Sequence, residues 1–278
     1  MIVAVKGTAN MSSIKINGSR PGQGVRISGG SAPVRIWNGE SGGGGGGGFN
    51  PSSLGGLKAW YSASTLTGLS NGDTINTWAD GSEFGNTLTR MDGQVSYVAA
   101  DSLLNNRPSA AFGGGFMDLH FSAGNTIPSG DSFTLYTVGY ASSSGTFAAM
   151  GGPGAWQQML GFVPYVDGIT YCNLNGNNAA TKAISANTPV ILSYGYESGT
   201  GAGNNLFYVN GSNSGVTQTG DSETINLNQG FRIGARYAYD VLALTGRVAE
   251  VLLYLGKQDD TSRGLVTSYL ADKYGIIL

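Results

Sequence analysis

Two carboxylates that project to one side of a strand can divide acid and base work between them. A retaining glycosidase holds them about 5–5.5 Å apart, a spacing that one strand supplies when acids stand at i and i+2 and project to one side. Asp221-Ser222-Glu223 is the acidic pair with that spacing, and it lies in a polar, loop-like stretch. No Glu-x-Asp-x-Glu run occurs. A solvated turn is the simpler reading, and no catalytic residue is assigned. His120 is the sole histidine, in Phe116-Met-Asp-Leu-His-Phe121. Period two sets Asp118 and His120 on one face of a strand. Such a pair could move a proton, but no serine or cysteine nucleophile is marked beside it, so it reads as a strand's polar outer face. Glu250 stands among apolar residues and needs a partner if buried; Arg247 or a backbone amide is the expected source. With one histidine and one cysteine, Cys172, the chain offers neither a zinc site nor a disulfide framework.

Binding chemistry is better represented. Sugar recognition uses aromatic faces on the rings, with amides and carboxylates on the hydroxyls. Loop-like aromatics are therefore the glycan candidates: Trp156 in Gly151-Gly-Pro-Gly-Ala-Trp156, Tyr165 after Pro164, and Tyr237 and Tyr239, with Arg236 and Asp240 beside the last pair. Asp73, Asp80 and Asp167, with loop carbonyls, are weak calcium candidates. They lack EF-hand spacing and also read as ordinary turn aspartates.

The elements that must position these side chains are mostly strands. Apolar and β-branched runs predict strands near Leu57–Tyr61, Val95–Val98, Ser109–Phe112, Phe116–Phe121, Phe133–Tyr140, Met159–Val163, Val190–Tyr196, Leu206–Asn210, Phe231–Ile233 and Arg247–Leu255. Turn signals such as Asn71-Gly72-Asp73, Asp80-Gly81-Ser82 and Asn210-Gly211 separate them. Ten or more short strands predict an all-β fold, a two-sheet sandwich or jelly roll. Val190–Tyr196 and Arg247–Leu255 are nearly continuous in apolar residues and should be central. One helix is expected, from about Thr261 to Lys273. Asp259 and Asp260 open it, Leu265, Val266, Tyr269 and Leu270 form its apolar stripe, and Gly275 stops it.

Ahead of this head, Gly42–Gly48 is a run of seven glycines, which cannot hold one shape by itself. Three related pieces precede it: Ile14-Lys-Ile-Asn-Gly18, Val25-Arg-Ile-Ser-Gly29 and Val34-Arg-Ile-Trp-Asn-Gly39. Alternation puts Ile14, Ile16, Val25, Ile27, Val34 and Ile36 on one face of short strands, and Trp37 joins them as an anchor contact. So few strands bury too little to be stable alone. They are expected to dock on copies of this chain around an axis, a trimer among them, or on another protein; the alternative is a small flap folded back onto the head. The organisation read is an anchor over 1–41, a linker over 42–53 and a sandwich over 54–278.

Charge follows the same division. Residues 1–41 carry five basic residues against one acidic, a net of +4, and the remainder ten against sixteen, a net of −6. A basic nucleic-acid footprint over the whole protein is excluded, while a basic arm on an acidic protein surface fits. Charged residues make up 12% of the 278, about half the usual roughly 25%. The surface is thus suited to hydrogen bonding without strong fields. The start lacks a positive region followed by a long apolar core, so no signal peptide is read. No apolar run reaches the ~18–20 residues of a membrane span.

Two sets of residues resemble a known family. Leu57-Lys-Ala-Trp-Tyr-Ser-Ala-Ser, Thr77-Trp-Ala-Asp-Gly-Ser82 and Arg107-Pro-Ser-Ala-Ala-Phe112 resemble the opening of concanavalin A-like (laminin G-like) domains of bacteria and phages. Thr245-Gly-Arg-Val-Ala-Glu-Val-Leu-Leu-Tyr254 and Tyr269-Leu-Ala-Asp-Lys-Tyr-Gly-Ile276 resemble their closing strand and helix. Ser62 departs from the pattern, standing where such domains often carry an aspartate. The resemblance implies a sandwich over about residues 54–278, with calcium sometimes bound at one rim. Combined with a short anchor and polyglycine, it implies a bacteriophage virion protein, a capsid decoration or a tail or fibre appendage. Such a protein would be made in the host cytoplasm, sit on the virion surface and contact host-surface polysaccharide. The alternative on this fold is a polysaccharide depolymerase or glucanase.

Overall fold

The computed structural model describes residues 49–119, 131–143, 145–151, 159–163, 171–174, 177–180, 184–197, 206–213, 230–235 and 243–278. Fourteen strands and one α-helix arise there, as the alternating apolar runs and Gly/Asn turns dictate. In chain order they are β1 (Leu57–Ser62), β2 (Thr77–Trp78), β3 (Leu88–Asp101), β4 (Arg107–Leu119), β5 (Phe133–Ala141), β6 (Ala148–Gly151) and β7 (Met159–Val163). There follow β8 (Tyr171–Leu174), β9 (Asn177–Ala180), β10 (Val190–Tyr196), β11 (Leu206–Val209), β12 (Ser212–Asn213), β13 (Phe231–Ile233), β14 (Thr245–Leu255) and α1 (Asp260–Tyr274).

Every strand pairing is antiparallel, and hydrogen bonding runs β12-β11-β10-β5-β14-β4-β13-β6-β7-β8-β9, with β1 on β14 and β3 bridging β2 and β4. The all-β expectation holds. Both strands expected to be central are flanked on two sides: β10 by β5 and β11, and β14 by β5 along one edge and by β4 then β1 along the other.

Two expected strands, 109–112 and 116–121, are one. β4 runs unbroken through Gly113-Gly114-Gly115, where sequence reading ends one strand and starts the next. Gly113 and Gly114 both oppose Gln94, so the run is a β-bulge within the ladder to β3. Gly114 has φ +86, and a Cβ on Gly115 would meet backbone of Gln94 at 2.7 Å. Only glycine fits there, and the bend lets β4 leave β14 and join β13.

The central strands are buried on both faces, which explains their continuous apolar runs. On one face Phe133, Leu135, Leu192, Tyr194, Val251 and Leu253 join Trp78 and Phe112 in the larger core. On the other, Tyr136, Val138, Ile191, Leu252 and Tyr254 meet Val266, Leu270, Ala271 and Tyr274 of α1. The helix begins where expected, with the Asp259 carboxylate accepting from Ser262 N at 2.7 Å. It ends with Gly275 at φ +68, its N–H returning to the Ala271 carbonyl. The expected stripe needs one correction. Leu265 is 45% exposed, and Thr267, Ala271 and Tyr274 are buried instead, because the face turned to the sheet is centred on Leu270.

Residues Phe49–Leu278 group as one unit. Phe49–Ser53, read as linker from their neighbours in sequence, belong to it. Pro51 is buried and its carbonyl accepts from Tyr254 Oη at 3.0 Å, while Phe49 sits on the Tyr269 ring at 5.9 Å. The anchor contacts expected at Ile14, Ile16, Val25, Ile27, Val34, Ile36 and Trp37, and the glycine run itself, lie outside the described residues. Among the described residues no helix is long and apolar enough to cross a membrane.

Candidate functional site

Glu250 occupies the centre of the helix-side face. The register of β14 against β5 slips between Val248 and Glu250, leaving Ala249 as the extra residue. This bulge sets Glu250 opposite Val138, on the side covered by α1. On β1, Ser62 pairs with Glu250 and Trp60 with Leu252, so both side chains share that side. Tyr269, Lys273 and Tyr274 reach it from the helix at i, i+4 and i+5.

The carboxylate is fully buried, with four donors on it. Trp60 Nε1 (2.6 Å) and Tyr269 Oη (3.0 Å) donate to Oε1, and Lys273 Nζ (2.7 Å) and Tyr274 Oη (2.7 Å) donate to Oε2. Lys273 also donates to Ser62 Oγ at 3.1 Å. Burial and the Glu250 charge push the Tyr269 and Tyr274 phenols well up, so both remain donors over the ordinary pH range. Arg247, the partner expected for Glu250, instead lies 3.8 Å from Asp101. Arg247 and Glu250 stand on one side of the sheet, opposite Tyr140 and Val138, but the carboxylate is taken up by donors from β1 and α1. With two donors on each oxygen and no exposed atom, Glu250 cannot take a proton from, or give one to, a bound sugar. It is the clasp between sheet and helix.

The other buried acids are similarly engaged. Asp101 accepts from Ser109 Oγ at 2.9 Å, Tyr140 Oη at 3.1 Å and Leu103 N at 3.1 Å. Burial together with the Asp101 charge pushes the Tyr140 phenol up to about 12. Asp118, expected on a polar outer face, is 5% exposed and paired with Arg232 at 3.1 Å across the β4–β13 ladder. The Arg232 guanidinium lies over the Phe116 ring at 4.1 Å. The outward side of β4 is thus covered at this point, which an alternation argument on one strand cannot reveal.

Of the calcium candidates, Asp80 is a loop organiser. It accepts from Trp60 N (2.8 Å), Ser82 N (2.8 Å), Ser82 Oγ (2.6 Å) and Asn86 N (3.0 Å). Asp73 accepts from Ser70 N at 2.7 Å, closing an exposed turn. Among the described residues no three His, Cys, Asp or Glu side chains gather in a metal-holding arrangement. Asp167, His120 and the acidic pair at 221 and 223 lie outside the described residues, as do all six glycan candidates, Trp156, Tyr165, Arg236, Tyr237, Tyr239 and Asp240.

A cleft that sequence reading did not anticipate lies between the first half of α1 and the β11–β12 turn, with a volume of about 280 Å³. Arg263, Gly264, Thr267 and Ser268 form its helical wall, and Asn210 and Ser212 face them. The turn is tight, with Asn210 at φ +48 and Gly211 at +75, the Asn-Gly hairpin pattern. Asn210 Oδ1 accepts from Ile191 N at 2.9 Å, which ties the turn to β10. Arg263 is held from two directions: its guanidinium covers the Tyr208 ring at 3.9 Å and donates to Asp260 Oδ1 at 2.6 Å.

No protein-family model matches the chain, and no curated protein does. Solved structures do resemble it. Domain 4 of AbnA, a GH43 extracellular arabinanase from Geobacillus stearothermophilus solved with arabinotriose, matches at TM-score 0.54 and 16% identity, over 79% of this chain and 98% of that one. A GH54 α-L-arabinofuranosidase matches at TM-score 0.54 and 13% identity, over 72% of this chain and 51% of that one. The binding domain of Paraclostridial mosquitocidal protein 1 matches at TM-score 0.50 and 11% identity, over 77% and 52%. The chain thus spans nearly all of the arabinanase domain and about half the length of the other two. At these identities the likeness is one of fold.

Proposed function

We propose that residues 54–278 are a glycan-binding sandwich of concanavalin A-like type, acting by recognition rather than hydrolysis. The observation that supports the glycan reading is the fold likeness, over 98% of its length, to an arabinanase domain that was solved holding arabinotriose. The choice of binding over cleavage rests on the acids. Glu250, Asp101 and Asp118 are each committed to internal hydrogen bonds or ion pairs. A two-carboxylate mechanism needs acids open to the glycosidic oxygen and the anomeric carbon. In this reading the glycine bulge of β4 is the corner between two layers of a jelly roll, and the aromatics from 156 to 239 supply ring-stacking surface.

The seven glycines and the basic segment before them suggest display. Residues 1–41 dock on a larger particle, a phage virion being the assembly that the family resemblance favours, and the head faces outward. Many weak sites on one particle then act together, because linked binding raises the effective concentration.

The test is retention of the full chain on immobilised polysaccharides, arabinan and bacterial capsule among them, with reducing ends measured in the same samples. Retention without new reducing ends is expected. Sustained release of reducing ends, abolished by Asp221→Asn or Glu223→Gln, would replace this reading with the depolymerase. The docking half is tested separately by deleting residues 1–48, which should leave retention intact and abolish incorporation into particles.

A further inference from the structure

We propose that the cleft between α1 and the β11–β12 turn is a subsite for one uncharged sugar residue. This rests on the glycan-binding reading and assigns a place and a ligand class to it. Three features of the cleft point there.

The first is an unmet hydrogen bond. Thr267 lines the cleft and is 3% exposed, and its hydroxyl has no partner. A buried hydroxyl without a partner is costly, and in a helix it would ordinarily return to the carbonyl one turn back. The second is charge. Among the described lining residues the charged side chains are Arg263 and Asp260, and they pair with each other at 2.6 Å. The Arg263 guanidinium is therefore already engaged and is not a free cation for a carboxylate or phosphate. The cleft's remaining polar groups, Asn210, Ser212, Thr267 and Ser268, both donate and accept, as a polyol requires.

The third feature is shape. About 280 Å³ corresponds to roughly nine water volumes of ~30 Å³, below most drug-sized pockets and suited to a single ring. Gly264 makes the room: a Cβ there would meet nothing within 4 Å. Alanine is better than glycine in a helix interior by about 1 kcal/mol, so this position forgoes helix stability and leaves the wall open. The Tyr208 face is already covered by Arg263. Recognition is by hydrogen bonds, without ring stacking.

The experiment titrates the full chain with methyl glycosides of L-arabinose, D-glucose, D-galactose and N-acetyl-D-glucosamine, and with sodium D-glucuronate, by NMR shift perturbation and saturation transfer. The Gly264→Leu and Thr267→Val variants are measured alongside. Leucine fills the cleft while improving helix propensity, and valine removes the unmet hydroxyl at equal volume, so both variants should melt at or above the parent temperature. Expected is saturable binding of at least one neutral glycoside, weakened about tenfold or more in both variants, the equivalent of about 1.4 kcal/mol or one hydrogen bond. Neutral-sugar binding that is unchanged in folded Gly264→Leu, or tighter binding of glucuronate than of every neutral sugar, overturns the subsite. Polysaccharide retention without glycoside binding also overturns it and leaves the general reading standing. Failure of the full chain to be retained on any polysaccharide removes both.

Discussion

Lys273 is the most informative single substitution. Its ammonium lies 2.7 Å from a carboxylate with no exposed surface, and its own side chain is 16% exposed. In Lys273→Met the stem keeps its volume and apolar contacts while the charge disappears. Glu250 then holds a buried negative charge opposed by three neutral donors. Removing one partner of a buried pair costs about 3–5 kcal/mol. In a unit of this size each kcal/mol moves the melting temperature by about 2–4 °C, so a drop of roughly 6–20 °C is expected. Glu250→Gln alone is also unfavourable, because its amide must turn a donor toward a hydroxyl or the ammonium, at about 1–3 kcal/mol. The double variant removes both charges together and should lose less than the sum of the singles by at least about 1 kcal/mol. Urea unfolding of all four chains under one buffer gives the cycle. Lys273→Met within about 1 kcal/mol of the parent, or strict additivity, would refute the clasp.

Other expectations follow from the same contacts. Asp118→Asn should cost about 3–5 kcal/mol, since it leaves the Arg232 guanidinium buried beside a neutral amide; a shift within 1 kcal/mol in urea unfolding would place the pair in solvent. Leu270→Ala opens a hole under the helix and should cost about 2–5 kcal/mol, with an unchanged midpoint as the contrary result. At high pH the buried tyrosines decide stability. Tyr140 is held up at about 12 by burial and Asp101, and Tyr136, Tyr254 and Tyr269 lie higher still, led by burial. In the unfolded chain each titrates near 10, so the folded state binds more protons above that pH. Stability is therefore full below about pH 10 and falls steeply above it; ultraviolet titration showing these phenols ionising near pH 10 in the folded chain would contradict this.

The strands were legible wherever burial is two-sided. Val190–Tyr196 and Arg247–Leu255 announce themselves because nothing polar interrupts them, and the structure puts them at the centre. The helix was legible from its ends, Asp259 and Gly275, because capping is local chemistry. Its buried face was less so: Leu265 looks inward by type and faces solvent, while Lys273 and Tyr274 look peripheral and meet a buried acid. At Gly113–Gly115 sequence reading divides one strand into two, because a glycine run marks both bends and breaks and only the pairing with Gln94 distinguishes them.

The site was the least legible part. That Glu250 needs a partner follows from its neighbours, but the partners come from β1 and α1, and only the assembled fold brings those to it. The cleft beside α1 joins residues some fifty positions apart in sequence, and most of its lining is polar or glycine. No periodicity or motif signals such a surface. Gly264 costs the helix some propensity, and a Cβ there would stand in open space.

The most direct test of the account is the paired assay on the full chain: affinity electrophoresis through gels cast with arabinan or bacterial capsule polysaccharide, with reducing ends counted in the same mixtures. The account predicts retarded migration in at least one gel, relieved by the matching free sugar, with reducing ends constant over time. Unretarded migration in every gel, or a steady rise in reducing ends, would contradict it.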